Sequence, residues 1–65
     1  MIKTIIRFRN NMVMVFDEEG EQLRQYQGRY EEVKEHILQD ATDEAVFAHG
    51  FTETGDLLTV SREQW

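Results

Sequence analysis

Cysteine and proline are both absent from this chain of 65 residues. Without cysteine there is no disulfide, no thiolate nucleophile and no cysteine-based zinc site, and the composition suits a reducing compartment. Without proline, punctuation falls to Gly20, Gly28, Gly50, Gly55 and the Asn10-Asn11 pair. The four glycines are scattered, so neither GxGxxG nor GKS/T occurs and no phosphate-cradling loop is expected. Long apolar runs are missing too: none approaches the roughly 20 residues of a membrane-spanning helix. Lys3 precedes two isoleucines, but Arg7, Arg9 and two asparagines follow at once, which is no signal-peptide core. A single domain over residues 1–65, in the cytoplasm, is the expectation.

Acid is lacking from one stretch and base is scarce in the other. Residues 1–16 hold Lys3, Arg7 and Arg9 and no acid, whereas residues 17–65 hold thirteen acids against four bases, for a net charge of -6 overall. Such asymmetry shapes the field around the molecule. A net acidic surface repels phosphates, so nucleic acid is not an expected partner.

What is present is clustered apolar sequence. The 40% hydrophobic content falls in periodic blocks, which argues for a folded chain despite 31% charged residues. A chain this short buries only about 60% of the surface its unfolded form exposes, so self-association is one route to added stability.

Residues 2–9 and 12–17 read as two strands rich in Ile, Val and Phe, with Asn10-Asn11 as a two-residue turn between them. Such a turn sets Phe8 opposite Val13 and Ile6 opposite Val15. Ile2, Thr4, Ile6, Phe8, Val13 and Val15 then share the core face. The other face carries Lys3, Ile5, Arg7, Arg9, Met12, Met14 and Phe16, where long Arg stems can lie along apolar neighbours. DEEGEQ, residues 17–22, is a polar turn around Gly20, after which Leu23 and Tyr26 plug the core edge.

Residues 28–41 have helical periodicity: Tyr30, Val33, Ile37, Leu38 and Ala41 fall on one side, Glu31, Glu32, Glu35 and Gln39 on the other. With Gly28 as N-cap, Glu31 at the third position can reach back to it. TDEAVFAHGF, residues 42–51, fits either a capped helix or a strand. The strand is preferred because TETG and DLLTV complete a hairpin after it. Ser61 and Gln64 have capping-box spacing for a final helical turn, and Trp65 is expected to fold back on the core or to meet a partner. The expected fold is α+β: an antiparallel sheet in β-β-α-β-β order with one amphipathic helix across one face.

Chemistry has little footing. The many carboxylates read as a solvated face. His36 and Asp40 are four apart on the helix and His49 is a conceivable third ligand, but no HExxH or His/Cys framework exists, so no metal site and no cofactor are expected. Ser61 sits in a cap sequence rather than a strained elbow. Phe8 points away from Arg7 and Arg9 by alternation, so the RFR run makes no base-stacking platform. No enzymatic activity is expected.

The mixed face of Ile5, Arg7, Arg9, Met12, Met14 and Phe16 is the candidate protein-binding surface, since Met, Arg and Phe are enriched at interfaces. Its partner is another protein or a second copy, met through the acidic helix face or through stacked sheets. The alternative is that Glu31, Glu32 and Glu35 imitate nucleic-acid phosphates and block a DNA-binding protein.

Overall fold

The computed structural model describes residues 1–51 and 53–65. Six elements follow in order: β1 (Ile2–Phe8), β2 (Met12–Asp17), β3 (Gly28–Arg29), α1 (Tyr30–Asp40), β4 (Val46–Gly50) and β5 (Leu58–Val60), with a 3-10 turn at Arg24–Tyr26. The strands form one sheet in the order β3-β2-β1-β4-β5, with β1 at its centre. One helix and one sheet make a small α+β domain, as expected, but the sheet is mixed: β1 and β4 run parallel, and the other pairs are antiparallel.

The two-residue strand β3 is the reason. β2 turns back at Gly20 and pairs with β3, so β3 runs in the direction of β1. The helix then starts from β3, and a strand reached through a helical crossover returns parallel to the strand it left. β4 must therefore lie parallel to β3 and to β1. Reading Gly28 and Arg29 as the first helical turn removes one reversal and makes every later strand antiparallel. Gly28 has φ +154, and a Cβ there would meet Val33 Cγ1 at 3.2 Å, so glycine is needed where the chain passes from strand into helix. The N-cap is Arg29 rather than Gly28 and makes no side-chain cap bond. Glu31 instead accepts a hydrogen bond from Asn11 Nδ2 at 2.7 Å.

The β1–β2 turn differs from the two-residue form by one residue, and the difference is large. Asn11 N–H donates to Phe8 C=O at 2.8 Å, and Asn11 has φ 68. This is a three-residue loop, Arg9-Asn10-Asn11, ending in a left-handed residue that Asn tolerates. The pairs become Arg7↔Val13, Ile6↔Met14 and Ile5↔Val15. A one-residue slip sends every side chain of one strand to the other face. Ile5 and Arg7 thus join Val13 and Val15 beneath the helix, while Ile6 and Phe8 join Met14 and Phe16 on the opposite face. An irregularity between Ile2 and Thr4 lets Ile2 rejoin the core side.

The core lies between α1 and the sheet. Ile5, Val13, Val15 and Ile37 are fully buried, with Ile2, Ala41, Phe47 and Trp65 packed among them and Tyr30, Val33 and Leu38 at the margin. The helical stripe expected from the periodicity is the stripe that docks. Burial of Ile37 alone is worth about 1.5–3 kcal/mol. Ser61 accepts from the Gln64 N–H through its Oγ at 3.2 Å, closing a final turn. That turn folds Trp65 back against Tyr30 and Phe47, with ring centroids 5.1 Å away in each case. The indole N–H is buried with no acceptor among the described residues, so the ring is held by packing. Of the expected TETG loop, Thr52 lies outside the described residues, and the strand expected in DLLTV is β5. Among the described residues, no helix is long and apolar enough to cross a membrane.

Candidate binding face

The helix covers one side of the sheet, and the opposite side is built from alternate residues of β2, β1 and β4. Ile6 (8% exposed) and Ala48 (2%) lie at its centre. Phe8, Met12, Met14 and Phe16 surround them, each half-buried, and Val46 stands at the margin. A Cβ on Gly50 would lie 3.0 Å from Phe8 Cδ1, so the absence of a side chain there lets the phenyl ring extend across β4. Beside the ring is a cleft of about 600 Å³ lined by Phe8, Arg9, Met12, Met14, Gln27 and Gly50 among others. Among the described residues, no carboxylate lines it. Arg29 is level with Met12 on the neighbouring strand, which adds a second cation at the rim.

Of the six residues read from the sequence as one surface, Met12, Met14 and Phe16 lie together on this open face. Arg9 stands at its edge, in the turn, and donates from Nη2 to the Phe51 carbonyl. Ile5 and Arg7 are not there. Ile5 is 0% exposed in the core. Arg7 lies beneath the start of α1 with its guanidinium 3.6 Å from the centroid of the Tyr30 ring. Its Nε donates to Asn11 Oδ1 at 2.9 Å and its Nη1 to the main-chain oxygen of Trp65 at 3.0 Å. Their places on the open face are taken by Ile6, Phe8, Ala48 and Gly50. A partial signal existed: Ile5 and Ile6 are adjacent, so β1 sets an apolar side chain on each face, as a central strand packed on both sides does.

The histidines stand apart. His36 Nε2 is 3.3 Å from Asp40 Oδ2 on the outer side of the helix, and Tyr26 donates its O–H to the same Asp40 oxygen at 2.6 Å. That hydrogen bond raises the Tyr26 pKa above its ordinary 10.0, with burial and the Asp40 charge as smaller causes. His49 stacks on Phe51 with centroids 4.4 Å apart. Among the described residues, no group of three or more His, Cys, Asp or Glu side chains could hold a metal ion. Compared with known proteins, the chain matches no family, no curated protein and no solved structure.

Proposed function

We propose that this protein is a small non-catalytic interaction module of the cytoplasm, and that it binds through the helix-free face of its sheet. The observation that supports the reading is the composition of that face: two phenylalanines and two methionines around buried Ile6 and Ala48, a cleft beside Phe8, and cations at its rim without a carboxylate. Methionine adapts to varied partners, phenylalanine supplies an anchor, and arginine meets carboxylates with a planar fork. The partner that suits this chemistry is a protein segment with one or two apolar side chains flanked by acids. The apolar groups would enter the cleft and the acids would meet Arg9 and Arg29. The acidic outer side of α1 supports a phosphate mimic less well, since Glu31 is held by Asn11.

A direct test uses methyl-labelled methionine and two synthetic peptides of equal apolar content, one flanked by Glu and one by Lys. The expected result is movement of the Met12 and Met14 methyl signals with the acidic peptide alone, lost in Met14→Asp. Equal response to both peptides, or none to either, removes the proposal.

A further inference from the structure

A sheet has two ends, and this one treats them differently. β3 closes one end with only two residues, one of them Arg29. Short, charged edges are the usual protection against unwanted strand pairing. The other end is β5, which is also short at three residues but carries no charged side chain. From Leu57 to Ser61 there is no charge, and its pairing with β4 runs without a bulge from Leu58 to Val60. Leu57 is 51% exposed and Leu58 is 60% exposed. The backbone groups on the outer side of β5 face away from the sheet's other strands.

From this edge we infer that β5 pairs antiparallel with β5 of a second copy of the chain, about a two-fold axis through Thr59. The segment is complementary to itself. An axis perpendicular to the sheet keeps the helix sides of both copies together, so each residue must meet one of the same parity. Centring on Thr59 is the register of this kind that pairs the whole of β5. Thr59 then faces Thr59 of the second copy, and Leu58 faces Val60 in both directions. Thr–Thr and aliphatic cross-strand pairs are favourable, and no like charges are opposed.

The pairing accounts for Leu58. Its partner on β4 is His49, which places it on the helix side of the sheet, yet it remains 60% exposed there. In the pair, Leu58 and Val60 of both copies form one apolar cluster across the axis. Two five-stranded sheets become one continuous sheet. Three residues of pairing bury a modest area, so the dimer is of the weak, concentration-dependent class. This inference rests on the sheet edge and is independent of the binding face proposed above.

Sedimentation of the full chain from about 10 µM to about 1 mM tests it, since weak dimers have dissociation constants in this range. The expected result is reversible dimerisation, weakened about ten-fold or more in Thr59→Lys, which sets two cations opposite each other. The chain has no native cysteine, so Thr59→Cys supplies a second readout. Facing residues in an antiparallel pair are about 4.5–5.5 Å apart at Cα, within disulfide reach. Thr59→Cys should cross-link at least ten-fold faster than Glu35→Cys on the outer side of the helix. A strict monomer at the highest concentration overturns the inference, as does equal cross-linking by the two variants. Dimerisation that survives Thr59→Lys but fails in Met14→Asp also overturns it, by showing that copies meet through the open face. Trp65 emission in each variant verifies that the fold is intact.

Discussion

Arg7 faces the helix side of the sheet, where a cation is costly unless its donors are used and part of it stays wet. Both conditions hold: the residue is half-buried, and its fork is shared between the Asn11 side chain and the main-chain oxygen of Trp65 beneath the Tyr30 ring. It therefore joins the hairpin turn, the helix start and the final turn at one point. Two hydrogen bonds at about 1 kcal/mol each and a cation–π contact of about 0.5–1 kcal/mol give an expected loss of about 2–3 kcal/mol for Arg7→Ala. Arg7→Lys keeps the charge but not the fork, and should recover less than half of that. Urea unfolding followed by Trp65 emission measures both. A Lys variant as stable as the parent would mean that charge alone matters. Alternation could not reveal this role. Arg7 and Arg9 are two apart, which puts them on one face of an unbroken strand, but Arg9 already belongs to the turn.

At the scale of elements, the legible parts were those with a strong local pattern. The stripe from Tyr30 to Ala41 declared α1, the alternation of Val13 and Val15 with Met12 and Met14 declared β2, and Ser61 with Gln64 declared the turn that returns Trp65 to the core. The strand preferred for residues 42–51 is β4. The illegible parts turned on single residues. Asn10-Asn11 serves a two-residue or a three-residue loop equally well in local terms, and tertiary packing of Ile5 under Ile37 decides between them. β3 has two residues and no period of its own, yet it sets the direction of β4. The 3-10 turn between β2 and β3 is fastened to the far end of α1 by the Tyr26–Asp40 hydrogen bond. Because the Tyr26 pKa is raised above 10.0 by that bond, its neutral form is the one favoured by folding. The contribution is complete below pH 10.0 and is lost as pH rises through the raised value. Tyr26→Phe should be less stable than the parent at pH 7, and the two urea midpoints should converge in strongly alkaline solution. A difference that persists undiminished there would show that the hydroxyl contributes through something other than this bond.

For the whole molecule, the question is where the excess of acid finds compensation. The arginines do little of it. Arg7 bonds the main-chain oxygen of Trp65, Arg9 the carbonyl of Phe51, and Arg62 those of Leu38, Ala41 and Thr42. The N-terminal ammonium of Met1 lies 3.6 Å from Glu18 and the His36 ring 3.3 Å from Asp40, both contacts well exposed. Exposed pairs of this kind contribute about 0–1 kcal/mol. A net charge of -6 thus acts as mutual repulsion within a body measuring 29 × 23 × 22 Å. Raising sodium chloride from about 10 mM to about 150 mM shortens the screening length from about 30 Å to about 8 Å, from longer than the molecule to a fraction of it. Repulsion is relieved, while Arg9 and Arg62, whose bonds go to internal main-chain carbonyls, lose little. The expected gain is about 0.5–1 kcal/mol, or a rise in Tm of about 2–8 °C for a domain of this size. Thermal unfolding at about 1 µM, below the dimerising range expected for so small an interface, separates this from self-association. A Tm that falls with salt would show that attraction between the basic N-terminal strand and the acidic remainder outweighs repulsion among the acids.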